Sequence, residues 1–452
     1  MLHPEYHHKS SISSDGSRPK IILADVHGFF TRAKALVFYP VIVFFLILPF
    51  LKWGGERMFF LFVEKRQFTL FGFDFNAQDV YLIFFVLTGL AFVLFFVTAV
   101  LGRVWCGWLC PQTLLLEGVY RKIERWIDGS KSEQLKRLTH STSDQWKRTF
   151  AKYVSYVFLS IFFSLVTVYY FIPWSYYQEM WTQGPQTHPI VISWIMILFA
   201  LLMLDFSWFR EQVCVILCPY GRLQSALTDD DTIVIGYDES RGEPRGKLGK
   251  ATGDCIDCHR CVEVCPTGID IRNGLQLECV GCANCIDACD EIMEKVGKSK
   301  GLIRYDSLNG LLGKEKKILR PRVYVYTLLL LIGMTVFGLG LRSRNNFESH
   351  LLRAAGSPYT LEDQSIQNIF ELHLVNKSRQ VQHLILQNQN EDYWNVVLPI
   401  EQVELNPFAD LRMPVIVRIS RLDYQGQKEI VIHVINENDW SVQQAKNIFL
   451  GP

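Results

Sequence analysis

Cysteine is missing from most of this chain. Of 452 residues only twelve are Cys, and all lie between Cys106 and Cys289. A disulfide framework would distribute its cysteines along the whole sequence, so this clustering points to metal chemistry instead. A charge excess is missing too: 46 Lys and Arg face 45 Asp and Glu. That balance gives no field for a nucleic-acid backbone, and no nucleic-acid partner is expected. The first 32 residues contain no apolar run of the kind a cleaved leader needs, so no signal peptide is expected. Residues 173–189 contain no Lys or Arg, an absence that bears on orientation below.

Eight of the cysteines form one stretch: Cys255, Cys258, Cys261 and Cys265, then Cys279, Cys282, Cys285 and Cys289. This is the bacterial ferredoxin spacing C-x2-C-x2-C-x3-C written twice, with Pro266 closing the first copy and Asp290 standing where the second would have proline. In that pattern three close cysteines serve one [4Fe–4S] cluster and the fourth reaches the other. One cluster is therefore assigned Cys255, Cys258, Cys261 and Cys289, and the other Cys279, Cys282, Cys285 and Cys265. Structural zinc would use paired C-x2-C knuckles and four ligands, which leaves this tandem pattern unexplained. The segment is read as a single-electron relay.

Five apolar segments approach the ~20 residues that cross ~30 Å of hydrocarbon: Ala35–Leu51, Val80–Leu101, Tyr153–Ile172, Ile190–Phe209 and Val323–Leu341. Pro40 and Pro49 predict a short or kinked first span. Asp205, near the end of the fourth, is read as interfacial, beside Arg210. The connection 102–152 carries ten Lys and Arg while 173–189 carries none. By the positive-inside rule 102–152 is cytoplasmic, and Trp174, Tyr176, Tyr177 and Trp181 form an outer aromatic belt. The ferredoxin stretch then lies in the cytoplasm and everything after Arg342 outside.

Residues 1–34, with His3, His7 and His8 and a Ser-rich run, are expected to be a disordered cytoplasmic tail. At the other end, Ile369–Val375, Val381–Leu386, Val396–Ile400, Val415–Ile419 and Ile430–Ile435 alternate or run β-branched between turn residues. Short strands at this spacing predict a β-sandwich. The expected fold is thus a multi-domain membrane protein. A five-helix transmembrane bundle (35–222, and 322–342 for the last helix) carries a cytoplasmic two-cluster ferredoxin-like domain (223–321) and a periplasmic all-β immunoglobulin-like sandwich (343–452).

The other four cysteines repeat a motif. Cys106-Gly-Trp-Leu-Cys110-Pro111 and Cys214-Val-Ile-Leu-Cys218-Pro219 are both C-x3-C-P, and each follows an even-numbered span. The spacing puts both sulfurs of a helical turn on one face, and the proline suits the first position of a new helix. Cys110 and Cys218 would then cap helix N-termini, where the dipole favours thiolate. Four soft sulfurs gathered by packing the repeats would select Cu(I) or iron–sulfur iron over harder ions.

With these motifs, the run Cys285–Tyr305 and the five-span layout in place, the chain resembles the cytochrome c oxidase accessory proteins of the CcoG/FixG/RdxA type over nearly its whole length. That resemblance implies a bacterial inner-membrane protein acting in assembly of cbb3-type cytochrome oxidase by reducing Cu(II) to Cu(I). It also implies oxidase subunits or copper-delivery proteins as partners, a cytoplasmic electron donor, and Cys106, Cys110, Cys214 and Cys218 as copper or redox residues. Two alternatives stand beside it. One is an electron-transfer subunit feeding quinone or a periplasmic oxidoreductase, although no heme or flavin ligand pattern is evident. The other is a non-enzymatic assembly scaffold.

Overall fold

The computed structural model describes residues 22–53, 55–64, 66–76, 79–139, 143–247, 252–317, 319–362, 364–390 and 394–452. The histidines of the N-terminal tail lie outside the described residues. Two compact units divide the chain: residues 1–65 with 83–337, and residues 66–82 with 338–452.

Among the described residues five helices are long and apolar enough to cross a membrane: Phe29–Phe50, Tyr81–Leu101, Gln145–Tyr169, Pro189–Phe209 and Pro321–Arg342. Their side chains explain the assignment. On the last helix Leu328, Leu331, Ile332 and Met334 are all more than half exposed, a surface that water would not tolerate and hydrocarbon would. The third helix has the lowest mean hydropathy, 1.6, and the largest buried share, 39%. It turns its polar residues inward: Ser160 is fully buried and meets the Tyr120 hydroxyl at 2.9 Å, and Lys152 pairs with Asp128 at 2.7 Å. The first helix runs through Pro40 and gives way to a 3₁₀ turn containing Pro49.

That helix begins at Phe29, so the stretch expected to be disordered through residue 34 is shorter by the part described. Residues 22–28 lie along the ferredoxin segment: Ala24 N–H donates to Glu263 O at 3.0 Å, and Ala24 is buried. The helix is capped from a distance. The Asp287 carboxylate accepts from Phe30 N–H at 3.1 Å and from Thr31 N–H and Oγ1, each at 2.7 Å. A carboxylate at a helix N-terminus satisfies free N–H groups and the dipole together. Asp287 belongs to the helix Asn284–Lys295 that carries Cys285 and Cys289, so this cap latches the ferredoxin segment to the bundle.

The ferredoxin segment is closed by an antiparallel pair, Val234–Tyr237 with Ile303–Asp306, and its core holds Ile235, Ile271, Ile286, Met293, Leu302 and Ile303.

In the second unit a five-strand and a four-strand sheet face one another. One is ordered Asn395–Val397, Asp410–Ser420, Ser365–Asn376, Phe347–Arg353, with Thr360–Leu361 added to the third of these. The other is ordered Gln402–Leu405, Gln382–Asn388, Lys428–Asn436, Val442–Phe449. Alternate residues point inward, and Phe347, Phe370, Leu372, Val415, Ile432 and Phe449 are fully buried. Residues 66–82, of which 66–79 were left without an element in the sequence analysis, belong to this unit. Gln67–Leu70 pairs with Phe73–Phe75, Arg379 binds Asp74 Oδ1 at 2.7 Å, and fully buried Asp79 receives Lys377 at 2.7 Å and Arg344 at 2.8 Å.

Candidate functional site

The two ferredoxin motifs repeat one backbone trajectory. In each copy the residue before the second cysteine is left-handed, Asp257 at φ 51° and Gly281 at φ 68°. The residue after it is left-handed as well, His259 at φ 54° and Ala283 at φ 61°. These paired reversals curl the loop so that successive cysteines face one side, and each copy then enters a helix, Arg260–Glu263 or Asn284–Lys295. Asp tolerates the left-handed region. At Gly281 the demand is stricter, because a Cβ there would sit 2.9 Å from Arg103 O.

Two cavities result. One is lined by Cys255, Cys258, Cys261 and Cys289 with Ile256, Met293, Leu302 and Ile303 among its apolar wall. The other is lined by Cys265, Cys279, Cys282 and Cys285, with Cys261 at its edge, and by Ile235, Ile269, Ile271 and Val280. Burial pushes the Cys261, Cys279 and Cys289 thiols up to about 12 and raises Cys282 and Cys285 as well. Burial thus favours the neutral thiol at these five, and binding a soft metal group displaces the protons. Among the described residues no three His, Cys, Asp or Glu side chains close on a single-ion position. Four sulfurs around an apolar space suit the larger [4Fe–4S] group, and the residues fit it.

The C-x3-C-P cysteines come from both repeats into one neighbourhood. Cys106 lies within the electrostatic reach of Cys110 and Cys218, and Cys214 within that of Cys106, Cys110 and Cys218. Cys110 and Cys218 do occupy the positions before their helices, Pro111–Leu115 and Pro219–Leu227. At Cys110 the expected thiolate does not follow. Burial pushes Cys106 up to about 11 and Cys214 up to about 12 and also raises Cys110, because desolvation outweighs the dipole of a short helix. Bonds across the repeats fix the arrangement: Gln112 Nε2 donates to Asp205 Oδ1 at 2.9 Å and to Arg210 O at 3.1 Å, and Cys106 Sγ meets Gln224 Oε1 at 3.4 Å. Asp205 therefore pairs with Gln112 beside the cysteines. The Arg210 guanidinium turns away to Glu124 at 3.1 Å. The backbone around these residues takes π-helical turns at Leu116–Tyr120, Asp205–Phe209 and Val213–Leu217, a form enriched at functional sites. Periodicity alone does not announce such turns.

A membrane bundle carrying a cysteine-lined ferredoxin segment defines an iron–sulfur electron-transfer protein, and comparison with known proteins agrees. The family model of a 4Fe-4S dicluster domain matches residues 209–308, a 4Fe-4S binding domain matches 82–129, and the IG-like fold at the C-terminus of FixG matches 337–452. Protein RdxA of Cereibacter sphaeroides is 34% identical over 80% of this chain and 80% of its own, and Protein RdxB of the same organism 33% over 78% of each. Nitrogen fixation protein FixG of Rhizobium meliloti is 30% identical over 79% of this chain and 77% of its own. The chain belongs to the FixG/RdxA family.

Proposed function

We propose that this protein takes single electrons from a cytoplasmic donor and uses them to reduce Cu(II) to Cu(I) for assembly of cbb3-type cytochrome c oxidase. The observation that carries the reading is the pairing, in one unit, of two cavities of four cysteines each with a second set of four soft sulfurs. Cys255, Cys258, Cys261 and Cys289 hold one [4Fe–4S] group; Cys279, Cys282, Cys285 and Cys265 hold the other. Each such group exchanges one electron at a time. The chain's own part is to present the thiolates, wall the cavities with apolar side chains and keep water from the sulfurs. Cys106, Cys110, Cys214 and Cys218 then present thiolates to copper, and soft sulfur favours the reduced ion. The ten cations of 102–152 support a cytoplasmic ferredoxin segment in an inner-membrane protein with the sandwich outside. There the sandwich would meet oxidase subunits or copper-delivery proteins.

The test is anaerobic reduction of Cu(II) by the purified full chain supplied with reductant. A variant with Cys255→Ser and Cys258→Ser should lose that activity; reduction at the parent rate would remove the ferredoxin segment from the mechanism. One observation favours a second reading of the four C-x3-C-P cysteines. The 4Fe-4S binding domain matched at 82–129 contains only Cys106 and Cys110, so an iron–sulfur group there would draw Cys214 and Cys218 as its remaining ligands. Iron analysis separates the two: about eight atoms per chain for copper at this site, about twelve for a third cluster.

A further inference from the structure

Where the C-x3-C-P site and the ferredoxin segment touch, one contact is backbone on backbone. A Cβ on Gly107, beside Cys106, would stand 2.5 Å from Gly281 O and 3.0 Å from the Cys282 Cα. A Cβ on Gly281 would in turn meet Arg103 O at 2.9 Å. Two glycines facing each other let the short helix Val104–Trp108 and the loop Cys279–Cys282 approach more closely than any side chain permits. Polar groups hold the contact on both flanks. Arg103 Nη1 donates to Cys279 O at 3.2 Å, while its Nη2 donates to Gly221 O at 2.7 Å. Gly221 is itself packed on the second motif, since its Cβ would lie 2.9 Å from Cys214 O. On the other side Trp108 Nε1 donates to the Tyr305 hydroxyl at 3.1 Å, and that hydroxyl donates to Gly281 O at 2.7 Å. The Phe30 ring lies edge-on to both aromatic rings, which covers the junction.

The other cavity has a different exposure. Cys258 is exposed and the His259 side chain is 59% exposed. Its Cys255–Cys261 loop opens to solvent, whereas the Cys279–Cys285 loop is docked.

On the reading of both cavities as iron–sulfur sites, we infer that the Gly107–Gly281 contact is the electron outlet: the Cys265/Cys279/Cys282/Cys285 cavity is the output end of the relay, and the Cys255/Cys258/Cys261/Cys289 cavity is its input end. One electron from a soluble one-electron donor enters at the exposed Cys258 side. One electron leaves through the glycine contact to the C-x3-C-P site, where Cu(II) becomes Cu(I), with no bond made or broken in the protein and no proton required by the couple. Arg103, Trp108 and Tyr305 are positioning residues that keep the loops together.

The experiment uses the full chain, purified anaerobically, reduced with dithionite, freed of excess reductant and mixed with one Cu(II) per chain. In Gly107→Ala the added methyl forces the loops apart. Iron content and reduction by dithionite should match the parent, and hydrogen exchange across 279–285 should rise. Reoxidation by Cu(II) should slow several-fold, because electron transfer weakens as the gap between donor and acceptor widens. Parted loops with reoxidation at the parent rate would overturn the outlet. If Gly107→Ala loses iron, Trp108→Phe decides, because it adds no atom at the glycines and loosens their contact by removing the bond to Tyr305, seen as faster hydrogen exchange across 279–285. Slower reoxidation at unchanged iron supports the outlet, and an unchanged rate overturns it. A parent protein without iron would instead defeat the reading of the cavities.

Discussion

The two cysteine groups of this protein are built from the same donor by opposite routes. The eight ferredoxin cysteines are local: two loops with matching left-handed reversals at Asp257 and His259, and at Gly281 and Ala283, shape the cavities largely from one run of chain. The four C-x3-C-P cysteines are non-local. Cys106 and Cys214 meet only because Gln112 reaches Asp205 and Arg103 reaches Gly221 across the two repeats. A locally encoded site keeps its ligand set through loop geometry, while a site assembled between helices depends on how the bundle packs.

That contrast can be broken most severely at a ligand. Cys282→Ser should empty one cavity and remove about half the iron, roughly four atoms per chain. Cys214→Ser should leave the ferredoxin iron in place and abolish copper retention. Metal analysis of the two variants checks both. An equal loss of ferredoxin iron in both would mean the sites are not separately built.

The thiols of the metal-free protein give the next largest effect. Cys106, pushed up to about 11 by burial, should alkylate about a hundredfold more slowly at neutral pH than an ordinary thiol. Exposed Cys258 should react first. The sign for stability follows from the same shift. A thiol whose folded value is raised contributes stability that is complete below about pH 9 and is lost as pH climbs through about 11. Mass spectrometry of alkylated peptides against pH reads the order of reaction.

Asp287→Ala sharpens the comparison from the other side. It removes the carboxylate that caps the first membrane helix from within the ferredoxin segment. The expected cost is about 1–2 kcal/mol, seen as a lower unfolding temperature in detergent with both cysteine sets intact. The smallest effect is at Thr267, whose Oγ1 lies 3.4 Å from Cys265 Sγ. Thr267→Ala, worth about 1 kcal/mol, should move one of the two cluster reduction waves to more negative potential and leave the other unmoved.

Much of this was legible in the residues. The five spans fall within a few positions of the apolar runs; the largest difference is the third, which starts eight residues earlier, at Gln145, because the helix extends through polar residues such as Lys147 and Arg148 ahead of the apolar run. The grouping of the ferredoxin cysteines about two cavities follows the x2 and x3 gaps. In the sandwich, strands such as Ser365–Asn376 and Lys428–Asn436 contain the alternating runs. Phe347–Arg353 and Val442–Phe449 were missed because their inward residues are diluted by His350, Gln443, Gln444 and Asn447. What no pattern could show was contact at long range. The Asp287 cap spans 256 residues to Thr31, the hairpin at 67–75 is claimed by Arg379 from the far end of the chain, and Gly107 looks like any other glycine until Gly281 is placed against it. The thiolate expected at Cys110 failed for the same reason, since burial is a property of the packed bundle.

The most direct measurement is iron and acid-labile sulfide per chain in the variant carrying Cys106→Ser, Cys110→Ser, Cys214→Ser and Cys218→Ser, purified without oxygen. Two clusters held by the eight ferredoxin cysteines predict about eight irons and eight sulfides in that variant. Zinc in their place, or about four irons, would contradict it.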